Sequence, residues 1–272
     1  MISSCIVCHR QTFRLLKLKQ HTIKVCQYCG LGVTLNFRSP DYSAYHRDDC
    51  YEKESALVGN YAEKHYHLSR FRSPGKTVLE VGCSTGSLLR QFTSHGWSAT
   101  GIEPSKTAAN YASEKGLAVT NTDLEHFKLK GRYSLVIMIH VLEHVNDPKK
   151  TLQHLAKLVN RNGRLFVSVP NFGSLTARLF GQRWSALLPN EHRWHFTQKS
   201  LSLLLEDCGF EVIRSETNAG VFGLAHPIRQ LLISLFQMKK IFFRLVLFLP
   251  YDLISTKLNI ASNLIVTGQK TK

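Results

Sequence analysis

From Thr77 onward, short apolar runs alternate with segments of helical period. That alternation predicts a parallel sheet with crossover helices. The first run, Thr77–Val81, leads into Gly82-Cys83-Ser84-Thr85-Gly86, and a helix is expected from about Ser87 to His95. A second strand, Ser98–Ile102, ends in Glu103-Pro104-Ser105, with Ser105 placed to cap the next helix. A short third strand covers about Leu117–Asn121 and ends near Asp123-Leu124. The fourth, Ser134–Ile139, is continuously apolar, as in a strand buried on both faces. His140-Val141-Leu142-Glu143-His144-Val145 follows at its carboxyl end. Asp147-Pro148 opens a helix to about Asn160, because Asp caps well and Pro is tolerated in the first turn. Asn162-Gly163 turns the chain into a fifth strand, Arg164–Val169. After a long loop, Phe172–Gln198, a helix over Lys199–Cys208 stops at Gly209, with Thr197 as its N-cap, and Phe210–Glu216 reads as a sixth strand.

Residues 1–39 follow a different pattern. Cys5-x2-Cys8 and Cys26-x2-Cys29 are separated by seventeen residues. Each pair suits a tight turn that presents two thiolates, and two facing turns make a tetrahedral Cys₄ zinc site. A closed site of this kind has a folding role rather than a catalytic one. Two disulfides or four unrelated thiols are the alternative. Residues 40–73 are rich in Tyr and His and read as a helical linker, with a helix near 57–70, or as a cap in which Tyr45 and Tyr51 touch substrate. Ser73-Pro74-Gly75 breaks the chain before the main domain, 74–272.

Charge changes the picture of partners. The formal net charge is +16 over 272 residues. Residues 1–40 hold six Lys or Arg and no acid, and residues 227–272 hold seven against Asp252 alone. Such ends attract something anionic: nucleic acid, an acidic membrane face or a phosphorylated substrate. The seven cysteines are too sparse for a secreted disulfide scaffold. The first ten residues, with two Cys, a His and an Arg, do not read as a secretory leader. A reducing cytoplasm is the expectation.

In an open α/β sheet, ligands bind at the carboxyl ends of the strands. Two glycines after the first strand let a backbone approach a ligand, and the following helix offers free N–H groups. An acid closing the second strand, about 20 residues after the glycine turn, is placed for ribose hydroxyls. The turn is GCSTG, neither the GxGxxG of dinucleotide sites nor a P-loop.

VLEVGCSTG, GIEPS, TD, YSLVIMIHVLEHVNDP and NGRLFVSVPN, in this order, resemble the class I S-adenosylmethionine-dependent methyltransferases over about residues 74–269. The resemblance implies a Rossmann-like, mostly parallel seven-stranded sheet of order 3-2-1-4-5-7-6. Its antiparallel strand 7 falls at Asn263–Gly268. The cofactor implied is S-adenosylmethionine. Gly82 and Gly86 would line its methionine portion, with Cys83 between them, and Glu80 would face the aminopropyl side. Glu103 would hold the ribose hydroxyls, with Pro104 beside it. Asp123 and Leu124 would contact adenine, and His140 would lie near the methionine. The N-terminal four-cysteine unit is similar to a zinc-binding extension on members that act on sugars and other small acceptors.

The loop Phe172–Gln198 is polar and aromatic, and an acceptor should bind at that edge of the sheet. Methyl transfer to oxygen requires that oxygen to lose its proton, and His192 or His195 is a candidate general base. Both also have a bland reading, as residues that start the helix after Thr197. His140 and His144 are rivals for the role.

An insertion at 218–262 separates the last two strands, and within it 228–249 is mostly apolar. Arg229, Lys239, Lys240 and Arg244 argue against a bilayer span. With Gln230, Ser234, Gln237, Lys240 and Arg244 on one stripe, it reads as a basic amphipathic helix. It would lie on an anionic membrane surface, at the inner face of the membrane, or pack on a second subunit or its own core. The acceptor expected is an oxygen on a small molecule, a sugar or a lipid-linked glycan. The competing readings are an rRNA or tRNA base methyltransferase that grips RNA with the ribbon, and a non-catalytic zinc-ribbon scaffold.

Overall fold

A computed structural model of the chain describes residues 3–41, 71, 73–127, 131–218 and 254–271. The expected helix near 57–70, Tyr45 and Tyr51, and the segment 228–249 lie outside the described residues.

The chain begins with three antiparallel strands, β1 (Phe13–Lys17), β2 (Thr22–Cys26) and β3 (Gly32–Leu35). It then enters β4 (Thr77–Val81), α1 (Ser87–Ser94), β5 (Ser98–Glu103), α2 (Lys106–Glu114), β6 (Val119–Asn121) and β7 (Tyr133–Ile139). There follow α3 (Pro148–Leu158), β8 (Val159–Pro170), α4 (Leu175–Phe180), β9 (Trp194–His195) and α5 (Gln198–Asp207). The last two strands are β10 (Phe210–Asn218) and β11 (Asn263–Lys270).

The main sheet runs β6-β5-β4-β7-β8-β11-β10. Its first five strands are parallel, and β11 is antiparallel to both β8 and β10. This is the 3-2-1-4-5-7-6 order that the motifs imply. Alternating side chains serve the two faces. Leu79, Val81, Val136, Met138, Val167 and Val169 pack with Leu152 and Leu155 of α3 and Leu201 and Leu204 of α5. Val78, Leu135, Ile137 and Phe166 pack on the other face with Leu88 and Phe92 of α1 and with Phe71. β4 and β7 are therefore buried on both sides, which is why their sequences are mostly apolar, with Glu80 the one charged side chain.

The helix starts follow from their caps. Ser105 accepts the Ala108 N–H, and Asp147 accepts those of Lys149 and Lys150 ahead of Pro148 at the first turn. Thr197 and Ser200 form a reciprocal capping box on α5. One local expectation changes. The Asn162-Gly163 turn lies inside β8, not before it. β7 pairs with Val159 and again with Arg164, and the residues between loop out, with Asn162 at φ 62°.

The N-terminal strands are joined to the main domain. β9, from the long loop after β8, pairs antiparallel with β3 through Gly32–His195 and Val33–Trp194. The second sheet is thus β1-β2-β3-β9. The Thr197 hydroxyl, at the N-cap of α5, also donates to the Cys29 carbonyl at 2.7 Å. Cys5, Cys26, Cys29, Leu31 and Val33 share one apolar cluster with α3, α5 and the main sheet. Among the described residues no helix is long and apolar enough to cross a membrane.

Candidate cofactor and acceptor site

The glycine turn lies at the carboxyl end of β4, between β5 and β7. Gly82 has φ 70° and Gly86 φ 74°, a region that costs a side chain about 1 kcal/mol or more. Space excludes a side chain as well. A Cβ on Gly82 would lie 2.6 Å from Val141 Cγ2, and one on Gly86 2.4 Å from Leu117 Cδ1. The turn therefore stays bare backbone at Gly82 and Gly86, the second leading into the amino end of α1. Cys83 sends its thiol into packing with Leu89, Ala112 and Leu117, so only its backbone is available to a ligand.

Two buried carboxylates flank this turn. Glu80 is buried, and one of its oxygens, Oε2, has no partner among the described residues. Burial, then the nearby Glu103 charge, raises its pKa to about 8, with a backbone N–H of α1, that of Leu89, partly opposing. Glu103 takes the Ser84 N–H on Oε2 and the Ser105 N–H on Oε1, each at 2.9 Å. Asn121 donates its amide to the carbonyls of Glu103 and Pro104, both at 2.9 Å. Asn121 was not singled out by sequence, since its role depends on β6 lying beside β5. Asp123 sits past β6, exposed, and accepts from the His126 backbone at 2.8 Å. Leu124 is partly buried beside the main core. Glu80, Gly82, Gly86, Glu103, Pro104, Asp123 and Leu124 thus come from the carboxyl ends of β4, β5 and β6 and the turns that follow them.

The residues after β7 form a second cluster. His140 adopts φ 53° and is 39% exposed at its side chain. Its Nδ1–H donates to Glu143 Oε1 at 3.1 Å. Glu143 is fully buried, and its second oxygen, Oε2, has no partner among the described residues. Burial alone would raise its pKa, but the His140 hydrogen bond and the charges of His140, His144 and His192 outweigh it and hold the group below the ordinary value. The Glu143 carbonyl accepts the N–H groups of Arg193 and Trp194, at 2.9 and 3.0 Å. That clasp brings His192 to within ring contact of His144, with centroids 4.8 Å apart.

The two expected base candidates are placed differently. His195 is 3% exposed, and its Nε2 is 2.9 Å from the Thr34 hydroxyl. Burial first, then the neighbouring His192, brings its pKa down to about 3. It is a neutral imidazole at the β3–β9 junction. His192 is also largely buried, which lowers its pKa, but it belongs to the Glu143 cluster. Glu143 and His144 are three and four residues after His140, a spacing already visible in HVLEH; His192, 48 positions later, is not legible as their partner.

The four N-terminal thiols lie together. Cys5 and Cys29 Sγ are 3.6 Å apart, and Cys8 and Cys26 Sγ 3.4 Å. All four are free cysteines, with no S–S bond between them. Four thiolates around one Zn²⁺ have sulfurs about 3.8 Å apart, from a Zn–S bond of about 2.3 Å. All four lie within 4.8 Å of one another, so the set fits such an ion. The crowding itself favours one thiolate: a hydrogen bond from Cys29 brings Cys5 down to about 5 and leaves Cys29 raised.

A family model described as a methyltransferase domain matches residues 57–215, more than half of the chain, and the chain belongs to that family. Among curated relatives, it is 37% identical over 108 residues to the ubiquinone biosynthesis O-methyltransferase of Erwinia tasmaniensis. That match covers 37% of this chain and 44% of the relative. The enzyme of the same name from Pectobacterium carotovorum is 38% identical over 105 residues, with 36% and 44% covered. The chain spans less than half the length of the curated relatives it matches. Two solved structures share the fold. One is an S-adenosylmethionine-dependent methyltransferase of Thermotoga maritima, described as a possible histamine N-methyltransferase. It has TM-score 0.54 and 17% identity, over 82% of this chain and 96% of that one. The other is the 1,6-didemethyltoxoflavin-N1-methyltransferase of Burkholderia thailandensis, with TM-score 0.51 and 15% identity, over 95% and 100%.

Proposed function

We propose that this protein is an S-adenosylmethionine-dependent methyltransferase that modifies an oxygen of a small-molecule, sugar or lipid-linked acceptor. The observation that carries the reading is the pair of buried carboxylates around a turn bounded by two glycines that no side chain could replace. Glu103, tied to the backbones of Ser84 and Ser105, closes β5 as a carboxylate suited to accept from ribose hydroxyls. Glu80, with an unpartnered oxygen, suits the cationic amine of the methionine portion. The cofactor supplies a methyl on a sulfonium, and the protein's part is to hold an acceptor oxygen in line with it.

Removal of the acceptor proton falls, in this reading, to the imidazoles around Glu143. His140 is the most accessible of these, and its Nδ1–H bond to Glu143 leaves Nε2 as the proton acceptor. His195 is set aside as base because it is buried on the Thr34 hydroxyl. Oxygen is favoured over nitrogen by the likeness to ubiquinone biosynthesis O-methyltransferases. The Cys5, Cys8, Cys26 and Cys29 set is assigned a structural Zn²⁺ that fixes the β1–β3 unit against α5.

Labelling an extract with a radioactive methyl donor and the purified protein, then separating lipid, glycan, small-molecule and RNA fractions, tests this. Label in a lipid, glycan or small-molecule fraction is expected. Label confined to RNA would move the assignment to a base methyltransferase, a reading the +16 charge supports. No label and no binding of the donor would leave the scaffold reading.

A further inference from the structure

We propose that the cleft between the β1–β2 turn and the loop after α4 binds the phosphate end of a hydroxyl-rich acceptor, a sugar phosphate or diphosphate ester. The ligand's role as acceptor rests on the methyl-transfer reading, while its binding rests on the cleft alone. The cleft has a volume of about 740 Å³. Small-molecule sites commonly run to about 300–1,000 Å³. One wall is residues 18–21 of the N-terminal unit, and the other is residues 182–191 of the main domain.

The two walls are fixed on each other. The Gln182 amide donates to the Lys17 carbonyl at 2.9 Å, and His21 Nε2 lies 2.6 Å from Asn190 Oδ1. Behind them Trp184 and Leu187 pack with Ile23 and Val25 of β2. The cleft is thus preformed, and a ligand need not order it. Its lining carries Lys19 from one wall and Arg183 from the other, against one acid, Glu191. The N-terminal wall belongs to a stretch, residues 1–40, with six Lys or Arg and no acid. Cations on opposite walls suit a group whose charge is spread over several oxygens. Arg takes two of them in a fork, and Lys takes a third as a point charge. Gln20 and Ser185 add amide and hydroxyl groups, which pair with sugar hydroxyls rather than with an apolar tail.

The cleft adjoins the imidazole cluster. The carbonyl of Glu191, a lining residue, accepts His144 Nδ1–H at 2.9 Å. A phosphate held in the cleft would therefore anchor an acceptor next to the groups assigned to proton removal, and remote binding of this kind orients the reacting atom. The N-terminal unit then has a part in choosing the acceptor. Lys19 lies in the turn of the hairpin whose second strand ends at Cys26.

The test is equilibrium binding to the full zinc-loaded chain. The probes are glucose 1-phosphate, a nucleoside-diphosphate glucose, a short-chain prenyl-phosphate glucose, free glucose and inorganic phosphate. At least one ester is expected to bind about tenfold or more tighter than glucose or phosphate. Which ester it is separates a soluble carrier from a lipid one. Bound ester should slow acetylation of Lys19, read by mass spectrometry on the wild-type protein. Lys19→Ala and Arg183→Ala should each weaken ester binding about fivefold or more, the scale of a charge-assisted hydrogen bond partly open to water. S-Adenosylmethionine affinity should not change in either. Both positions are exposed, so the fold should not depend on them. Failure of every ester to bind overturns the proposal, as does equal affinity for inorganic phosphate. Lys19 reactivity unchanged at saturating ester, or unchanged affinity in both variants, does the same. Anionic vesicles that bind where no soluble ester does would make this face a membrane contact and overturn it too. Ester binding in a protein that does not bind the methyl donor would keep the cleft and remove the methyl-transfer reading. Donor binding without ester binding would do the reverse.

Discussion

Glu103 Oε2 accepts the backbone N–H of Ser84 at 2.9 Å, so the acid that ends β5 holds the glycine turn that ends β4. One carboxylate thus shapes the turn and, in the proposed function, also binds the ribose. Glu103→Ala removes both functions. S-Adenosylmethionine affinity should fall at least tenfold, about 1.4 kcal/mol or more, while far-ultraviolet circular dichroism stays native. Calorimetric titration checks it, and an unchanged affinity would take Glu103 out of the ribose role.

Glu80 gives a pH signature. Its pKa rises from 4.5 to about 8 in the fold, from burial and then from Glu103. Below pH 4.5 it is protonated in both states and has no effect. Between 4.5 and 8 the unfolded chain has released the proton and the native state retains it, so this group lowers stability by up to about 1.4 kcal/mol per pH unit as pH rises. A cationic amine bound beside it favours the carboxylate. Cofactor binding at pH 7 should therefore release close to one proton, seen as a buffer-dependent binding enthalpy. Glu80→Gln should abolish the release.

Thr34 and His195 predict a purely structural effect. Thr34→Val leaves the buried His195 Nε2–H without its acceptor and the His192 carbonyl without the hydroxyl that donates to it, at a cost of about 1–3 kcal/mol in denaturant unfolding. Methyl transfer per folded molecule should not change. The sign with pH is opposite to that of Glu80. His195 is neutral in the fold down to about pH 3, while the unfolded chain takes up a proton near 6.5, so stability contributed here is lost as pH falls from 6.5 toward 3. His195→Gln should flatten that part of the stability curve. Loss of methyl transfer in Thr34→Val, at full folding, would return His195 to the catalytic candidates.

Zinc removal should act locally first. Chelation, or Cys8→Ser, is expected to release one equivalent of zinc and to expose the amides of β3 and β9 to hydrogen exchange. The parallel strands β4 and β7 should stay protected. The reason is that the cysteine turns meet the main domain through the β3–β9 pairing and the Thr197–Cys29 bond. A protein purified without stoichiometric zinc, with Cys5 and Cys8 freely alkylated, would end the zinc assignment.

The strand order came with the family resemblance; the strand ends and helix caps were legible along the chain. They depend on neighbours in sequence: an apolar run, a glycine turn, a Ser or Asp before a helix. HVLEH likewise showed an acid and two imidazoles on one turn. What the chain could not show is any relation carried by strand pairing or loop closure. Asn121 meets Glu103 only because β6 lies beside β5. His195 looked like a base in a polar loop, yet β9 pairing with β3 buries it against Thr34, 161 positions earlier. His192 joins Glu143 because two main-chain bonds clasp segments almost fifty residues apart. Local physics, period and capping therefore determined the α/β class and the sheet edge where a ligand would bind, and the motif resemblance supplied the cofactor. The parts played by the histidines were decided by the tertiary structure, because burial and hydrogen-bond partners depend on which distant segments close over a side chain.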